Sequence, residues 1–411
     1  MKPLNFEKST FKLLEEKKMV EVLSSEFHER VKRTRAKMKQ AGLDALFIYC
    51  DEYHPGYAMY YTNFRTINCI EESAHALFLP LEGEIQAFTG NLNRFAARRF
   101  SWVKNVHNIY EMRTVLPELV NNAGYSINKI GVVGEELFPI SLYREFERGV
   151  EGITLVEASE IVLNQRLIKS KNELDLLRAA GKLNDDSILA SVEQLGLGKS
   201  EVELSAMGEY TTRKLGGELS CAYLVVAGEH TDLPTWRPGD YKVKPGDYVW
   251  FDYGASYLGY ASDTAITVAM NGASEEQIKI MNFAYDTNQR MVEFMRPGIK
   301  GSDLFRETVR LTDEANLSKH LLPYTTGMRA IGHGVGLECV EYPDLGPKSE
   351  YPLEPGMVFG IKFDLHGFPF GGVRVEQTVI ITETGSESVN DLSRLRNKAA
   401  EFGKRGGFVV G

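Results

Sequence analysis

The sequence predicts an α/β domain over residues 1–165 followed by an α+β domain over residues 166–411. Two observations indicate this division. In the first part, short apolar runs typical of strands alternate with amphipathic segments typical of helices, which is the pattern of an α/β fold. In the second part, capped helices precede several long strand-like runs, which indicates helices packed on an antiparallel-rich sheet.

The first domain is predicted to begin with a helix that has serine caps and ends at Gly42, in "SSEFHERVKRTRAKMKQAGL". A buried strand follows in "DALFIYC", and two strands joined around Glu82 and Gly83 follow in "HALFLPLEGEIQAFTG". The rest of the domain is predicted to be helix, strand and helix, in "LPELVNNAGY", "KIGVVGEE" and "PISLYREFERGV".

The second domain is predicted to begin with a long amphipathic helix, because Ser170 and Glu173 have the spacing of a capping box. A second capped helix follows in "KSEVELSAMGEYTTRKLGG". Strands are predicted in "CAYLVVAG", "DYVWFDYGASYLGYASDTAITVAM", "GMVFGIKFDL" and "GGVRVEQTVIIT", with a helix in "SEEQIKIMNFAYDTNQRMVEFM" between the second and third of them.

Composition and charge exclude several classes of function. The chain is 43% hydrophobic and 25% charged, with a formal net charge of −9, which argues against a nucleic-acid partner because that contact relies on clustered Lys and Arg. No apolar run reaches the length of a membrane span, and the charged N-terminus lacks the apolar segment of an export signal. We therefore expect a cytoplasmic protein with a small-molecule substrate and no membrane partner. The four cysteines lack metal or disulfide spacing and are expected to be reduced and mostly buried: Cys50, Cys69, Cys221 and Cys339.

Four residues of the second domain carry acid or imidazole groups in apolar or glycine-rich contexts. Asp252 and Asp263 flank "YLGY", which suits a hairpin turn that brings both carboxylates together on adjacent strands. His333 lies between two glycines, and Glu376 lies on an alternating strand. Carboxylates among apolar residues are unfavourable to bury unless they are paired or coordinate a cation. A shared polar site is predicted; the alternative is that each acid lies at a strand end in water and His333 is an ordinary loop histidine.

Several segments resemble the pita-bread enzymes, namely creatinase, aminopeptidase P, prolidase and methionine aminopeptidase. They are "RLIKSKNELDLLRAA", "LPTWRPGDYKVKPGDYVWFDYGASYLGYASDT", "IGHGVGLE", "LEPGMVFGI" and "GGVRVEQTVIIT". The resemblance covers residues 166–387 and, more loosely, the first domain. It implies a creatinase-like N-terminal domain, a pita-bread catalytic domain and a homodimer in which the partner's N-terminal domain completes the active site.

In the metallopeptidases of this family, two Asp, one His and two Glu hold a pair of divalent ions. The resemblance places Asp252, Asp263, His333 and Glu376 on four of these ligands and Lys362 on the fifth. An ammonium group cannot bind a metal ion. Lys362 is therefore predicted to lie between Asp263 and Glu376, hydrogen-bonded to one or both, and to leave His333 free as a general base.

Two histidines that the family uses near its substrate fall on Thr235 and Val340. Other polar groups are predicted to bind the substrate instead: His230, Trp236, Arg65, Glu341 and His366. Asp364 is a further candidate near the site. The first domain also offers Glu71, Glu72 and Arg94, with the alternative that these and Arg65 are solvated loop charges.

Three hypotheses of function remain. The first is a hydrolase that cleaves a C–N bond of a small charged amino-acid-derived substrate, with no cofactor and no two-metal centre. The second is a metal-dependent Xaa-Pro dipeptidase or aminopeptidase that retains one Mn, Zn, Fe or Co ion. The third is a catalytically silent binding protein, which the number of polar groups at the predicted site disfavours because buried acids without a role are unfavourable.

Overall fold

The computed structural model describes residues 20–67, 72–322, 327 and 330–404. Cys69 and the candidate Glu71 lie outside the described residues. The described chain forms two sheets, a six-stranded sheet of strands β1 to β6 and a nine-stranded sheet of strands β7 to β15. No helix in these ranges is both long and apolar enough to cross a membrane.

The first half is a mixed sheet covered by helices. Its strands lie in the order β4-β3-β2-β1-β5-β6, and β1 is buried along its whole length between antiparallel β2 and parallel β5. The elements are α1 Ser24–Gln40, β1 Ala45–Cys50, α2 Gly56–Thr62, β2 His75–Pro80, β3 Gln86–Thr89, α3 Asn93–Phe100, β4 Asn105–Asn108, α4 Met112–Asn121, β5 Lys129–Val133, α5 Ile140–Gly149, β6 Thr154–Glu157 and α6 Ser159–Leu167.

One detail of this half corrects the sequence prediction. The serines were expected to cap the first helix, but Leu23 occupies the cap position without a side-chain hydrogen bond, and Ser24 is already helical. The predicted stop is present, because Gly42 has a φ of 64°, a left-handed conformation that glycine adopts without strain.

The second half packs helices on a largely antiparallel sheet. Capping boxes start its first two helices, with Ser170 and Glu173 at one and Ser200 and Glu203 at the other, as predicted. The elements are α7 Lys171–Val192, α8 Glu201–Lys214, β7 Glu218–Leu219, β8 Leu224–Ala227, β9 Tyr248–Tyr257, β10 Tyr260–Ala269, α9 Glu275–Phe294, α10 Gly301–Glu314, β11 Gly332–Gly334, β12 Glu341–Asp344, β13 Val358–Leu365, β14 Val373–Ile381, β15 Ser386–Ser388 and α11 Leu392–Lys404.

The β9–β10 hairpin is the central feature of this sheet. Its two-residue turn has Leu258 at φ 48° and Gly259 at φ 88°, which is the positive-φ geometry of the tight turns that match strand twist. A Cβ atom on Gly259 would lie 2.0 Å from the Met59 side chain. The tip of the hairpin therefore packs closely against α2 of the first half. This contact joins the two halves of the chain.

Candidate functional site

Four strands present the predicted acid and imidazole groups on one face of the second sheet. Asp252 on β9 and Glu376 on β14 both pair with Ala265 on the intervening β10, so their side chains point to the same face. Asp263 lies two residues before Ala265 on β10 and shares that face. His333 on β11 lies on the same face, because β11 pairs with β13 and β13 pairs with β14. The predicted hairpin therefore places both aspartates as the sequence indicates.

Asp263, His333 and Glu376 form a compact triad. One ligand atom from each lies within 4.8 Å of the others, and all three residues are buried. His333 Nε2 lies 3.5 Å from Asp263 Oδ2 and 3.4 Å from Glu376 Oε1. Asp252 lies on the same face but outside the triad. The structure thus brings together three of the four predicted residues and sets the fourth beside them.

The hydrogen bonds of His333 direct a lone pair into the triad. Its Nδ1 donates to the carbonyl oxygen of Gly334 at 3.1 Å, and a carbonyl only accepts, so Nδ1 carries a proton. In the neutral ring, Nε2 then presents a lone pair to two carboxylates. Glu376 Oε1 has no hydrogen-bond partner within the described residues. These acceptors face one another, which is favourable only with a cation or a proton between them.

The triad fits one divalent ion. One imidazole nitrogen and two carboxylate oxygens are common ligands of such ions, and a ring whose other nitrogen donates to a carbonyl is typical of a ligand histidine. Gly360 on β13 leaves room at this place, because a Cβ atom there would lie 2.9 Å from His333 Cε1 and 3.1 Å from Glu376 Oε1. Asp263, His333 and Glu376 are therefore the residues that would hold an ion.

The two carboxylates of the triad have opposite pKa shifts. Burial raises the pKa of Glu376, but Lys362, Arg374 and the protonated form of His333 outweigh it and lower the pKa to about 2. Burial and the nearby Glu376 raise the pKa of Asp263 well above its usual value. Without a bound metal ion the pair therefore favours a single negative charge, as expected for two carboxylates at close range.

The predicted contact of Lys362 is wrong. Lys362 lies directly opposite Glu376 in the β13–β14 register, yet within the described chain it forms no ion pair with Glu376 or Asp263. The imidazole of His333 occupies the position between these carboxylates instead. Lys362 is half-buried, and its charge acts on the triad from nearby and helps to lower the pKa of Glu376.

Arg374 is the counter-charge of two other acids on this face, Asp252 and Asp364. Its Nη1 donates to Asp252 Oδ2 at 2.6 Å, and its Nη2 donates to Asp364 Oδ2 at 3.0 Å. Nε also donates to both oxygens of Asp364. The guanidinium lies 5.2 Å from the ring of Trp250, within the range of a cation–π contact. Burial raises the pKa of Asp252 to about 6 although Arg374 opposes that shift.

Replacing Arg374 with lysine should destabilise the protein by about 1–3 kcal/mol, since a single ammonium cannot serve two buried carboxylates and leaves one unsatisfied. Urea unfolding measures the change. Arg178→Lys is the matched control, because Arg178 also forms a two-point contact, with Glu387, but both side chains are partly exposed. That control should change stability by about 1 kcal/mol or less. Equal losses in both variants would contradict the assignment of Arg374 as a buried counter-charge.

In the described part of the chain, four of the predicted substrate-binding residues form no hydrogen bond or ion pair with the triad. His230 binds the buried Glu201 at 2.8 Å, and Trp236 is exposed. Arg65 contacts Glu218 of its own chain at 3.3 Å. His366 is buried, and within the described residues neither ring nitrogen has a hydrogen-bond partner. Substrate contacts of these residues stay predictions.

The fifth, Glu341, lies in a buried ion cluster. Its Oε1 accepts from Lys169 Nζ at 2.8 Å, and its Oε2 accepts from Arg166. Arg166 also binds Glu338 at 3.1 Å, and Glu338 accepts from the backbone of Gly56 in the first half. These contacts favour a role in joining the two halves of the chain, and a substrate contact of Glu341 stays a prediction.

A cavity of about 330 Å³ opens beside the triad. His333 and Lys362 line it together with Val340, Asp344 and Lys348. Small-molecule sites usually have about 300–1,000 Å³, so this cavity suits a small ligand. The two lysines give its wall the charge that complements a carboxylate.

Comparison with known proteins identifies the family. Residues 175–383 match metallopeptidase family M24, and residues 30–168 match the creatinase/prolidase N-terminal domain. The chain belongs to metallopeptidase family M24. The family membership and the enzyme class, a C–N hydrolase of the creatinase/Xaa-Pro peptidase family, are confirmed as predicted from the sequence.

Individual relatives cover most of the chain. The uncharacterized peptidase YqhT of Bacillus subtilis is 32% identical over 248 residues, which are 60% of this chain and 69% of that protein. The Xaa-Pro dipeptidase of Pyrococcus furiosus is 30% identical over 236 residues, which are 57% and 66% of the two chains.

Solved structures confirm the two-domain pita-bread fold. The X-Pro aminopeptidase from Thermotoga maritima superimposes with a TM-score of 0.78 at 23% identity, covering 88% of this chain and 97% of that one. The prolidase from Pyrococcus horikoshii gives a TM-score of 0.76 at 24% identity, with coverage of 88% and 98%.

Proposed function

We propose that this chain hydrolyses the C–N bond of a short peptide or a related amino-acid derivative, with one divalent ion held by Asp263, His333 and Glu376. The observation that supports the proposal is that the hydrogen-bond acceptors of the triad face one another. Nε2 of His333 presents its lone pair to two carboxylates, and Glu376 Oε1 lacks a hydrogen-bond partner among the described residues. When bound, such an ion supplies Lewis acidity that polarises a carbonyl group.

The positions of two neighbouring cationic side chains favour binding of one divalent metal ion rather than a pair of metal ions. Lys362 stands at the position where the family has a carboxylate ligand, and its charge disfavours a second ion close by. Arg374 already engages one oxygen of Asp252. Asp252 therefore serves to fix Arg374, and through it Asp364, at the edge of the site.

The substrate class follows from the cavity and from the relatives. Lys348 and Lys362 line a cavity of about 330 Å³ beside His333, and they would bind a substrate carboxylate. A dipeptide presents that group one residue from its scissile bond. The Xaa-Pro dipeptidase among the relatives makes Xaa-Pro dipeptides the first substrates to test.

A second candidate is hydrolysis without a metal. Lys362 favours it, because a fixed ammonium near the triad supports ionised carboxylates. A proton then takes the place between Nε2 of His333 and the two acids, and the imidazole exchanges it with water or substrate as a general base and acid. The residues are the same as in the first candidate.

Metal analysis and a substrate panel distinguish the two candidates. The full chain, purified without chelator, is assayed for bound divalent ions and for hydrolysis of Xaa-Pro dipeptides with added Mn(II), Co(II) or Zn(II). The proposal expects one ion per chain and loss of activity with a chelator. Activity that is indifferent to chelator favours the metal-free candidate, and a chain that binds no ion and cleaves no dipeptide contradicts the proposal.

Replacing Lys362 with glutamate should strengthen divalent-ion binding by about 10–100-fold, the range by which metal sites respond to changed surroundings, since the change removes a cation and adds a ligand. Titration calorimetry with Zn(II) or Mn(II) measures the affinity. Lys348→Glu is the matched control, because Lys348 lines the same cavity with the same charge but is exposed. Equal affinities in Lys362→Glu and Lys348→Glu would show that Lys362 does not act on the triad.

The proposal includes a cytoplasmic homodimer. In the sequence prediction Arg65 reaches the partner's site, whereas in the structure it contacts Glu218 of its own chain. Light scattering tests the dimer, and a monomer at assay concentration removes the proposed contribution of the partner's N-terminal domain.

A further inference from the structure

Two cysteines that are far apart in the sequence lie side by side in the fold. Cys221 Sγ and Cys339 Sγ are 3.6 Å apart, although 118 residues separate them. Cys221 is exposed and Cys339 is buried. Both lie in bends between strands, Cys221 after β7 and Cys339 before β12. The sequence pattern predicts scattered reduced thiols, and it gives no sign of this pairing.

Strand β9 leaves room for the two sulfur atoms, because it has a glycine beneath them. A Cβ atom on Gly254 of β9 would lie 2.2 Å from Cys221 Sγ and 2.6 Å from Cys339 Sγ, so only glycine leaves this space. Gly254 lies two residues from Asp252 and directly opposite Asp263 in the β9–β10 register. The thiol pair therefore occupies the sheet face that carries the triad.

The thiol pair also borders a crevice that adjoins the cavity containing His333. Both cysteines border a crevice of about 180 Å³, which residues of the first half, including Met59 and Arg65, close from the other side. Val340 borders this crevice and also the cavity that contains His333. The segment around Cys339 is thus the wall between the crevice and the cavity.

We propose that Cys221 and Cys339 are a thiol-modification site that forms a reversible disulfide with a peroxide as oxidant. The exposed Cys221 attacks the peroxide oxygen, which gives a sulfenic acid and releases water when the oxidant is hydrogen peroxide. The sulfur of Cys339 then attacks the Cys221 sulfur, so the S–S bond forms and the S–O bond breaks with release of a second water. Two thiols lose two electrons, and one peroxide gains them. An external dithiol reverses the step by exchange.

The geometry makes the bond accessible with a small movement. The two sulfur atoms need to approach from 3.6 Å to about 2.05 Å, the length of a disulfide bond. On the Cys339 side, the adjacent Glu338 is held by Gly56 and Arg166. On the Cys221 side, the residue is exposed. The Cys221 segment is therefore the part that moves, and it moves toward the wall of the active-site cavity.

Peptide mapping tests the site without reference to hydrolytic activity. The full chain is treated with one equivalent of hydrogen peroxide, alkylated with N-ethylmaleimide, digested and analysed by mass spectrometry with and without dithiothreitol. We expect a cross-linked peptide pair that contains Cys221 and Cys339, with loss of both alkylated forms and recovery of both after reduction. Cys50→Ser is the control, because Cys50 is buried in β1, and the cross-link should persist in it.

Single replacements complete the test. Cys221→Ser and Cys339→Ser should each abolish the cross-linked pair, and in Cys339→Ser the Cys221 sulfenic acid should accumulate and react with dimedone. The proposal is overturned if oxidised parent chain retains both thiols in alkylatable form, or if Cys221 pairs instead with Cys50, Cys69 or a second chain. None of these readouts depends on the metal or the substrate, so a failed function proposal leaves this one standing.

Discussion

Replacing His333 with alanine is expected to lower the rate of C–N bond hydrolysis by a factor of about 10² to 10⁴, the usual contribution of a positioned acid–base group. The imidazole lies close to both carboxylates of the triad, at 3.5 Å and 3.4 Å. Its removal leaves Asp263 and Glu376 facing one another. The measurement is kcat/KM on the best Xaa-Pro dipeptide, with bound metal determined on the same preparation.

His107→Ala is the control for this variant. His107 is a partly buried histidine of the first sheet whose Nε2 contacts Gln86 at 2.9 Å, so its loss removes a similar ring far from the triad. The control should retain parental activity and metal content. In His333→Ala, loss of both metal and activity supports the one-ion proposal, and loss of activity alone supports the metal-free candidate. Parental activity in His333→Ala contradicts both.

The sequence predicts the fold and the shared face of the acids well because both depend on local patterns. The "YLGY" turn needs two positive-φ residues, and the structure has them at Leu258 and Gly259. That turn fixes which residues of β9 and β10 lie opposite, and so places Asp252 and Asp263 on one face. Alternation on β14 then puts Glu376 on the same face. Each of these placements follows from the alternation of side chains along a strand, which has a period of two residues.

The role of Arg374 was missed because it depends on register between strands rather than on a pattern within one. Alternation alone puts Arg374 on the face of Glu376, and Asp364 on the face of Lys362. The pairing of Asp364 with Arg374 follows from the β13–β14 register, which the sequence does not specify. The sequence therefore places the predicted acids on one face, but it does not predict that Arg374 binds Asp252 and Asp364.

The same reason explains the cysteine pair. Cys221 and Cys339 lie in bends outside the regular strands, where the period of two gives no side-chain direction. Their close approach needs the space that Gly254 leaves beneath both sulfur atoms, because it has no side chain. A glycine in a strand interior often marks close approach of other atoms. The segment "FDYGAS" therefore weakly indicates such an approach, but it does not identify which residues make it.

Replacing Glu341 with glutamine is expected to destabilise the protein by about 3–5 kcal/mol, the usual loss when one partner of a buried ion pair is removed. Glu341 and its partners Arg166 and Lys169 are only 3–5% exposed. The change leaves two buried cations with Glu338, which is partly exposed, as the remaining carboxylate near them. Because Glu338 also binds the backbone of Gly56, the loss should loosen the contact between the two halves.

Urea unfolding at neutral pH measures this loss, and Glu387→Gln is the matched control. Glu387 also binds an arginine through both oxygens, at 2.7 Å each, but the side chains of Glu387 and Arg178 are 40% and 39% exposed. The control should lose about 1 kcal/mol or less. Similar losses in Glu341→Gln and Glu387→Gln would show that burial does not set the strength of the cluster.

The pH dependence of the Glu341 variant gives a second test with a definite sign. Burial raises the pKa of Glu341, but Arg166 and Lys169 outweigh it and lower the pKa below its ordinary value. A carboxylate with a lowered native pKa contributes stability that is fully present above its unfolded pKa, about 4.3 for glutamate, and that is lost as the pH falls through the native pKa. The difference in unfolding free energy between parent and Glu341→Gln should therefore be constant from pH 6 to 8 and shrink as the pH falls below about 4.3. A difference that grows on acidification would mean that Glu341 is protonated in the native protein, and the cluster would then not be an ion pair.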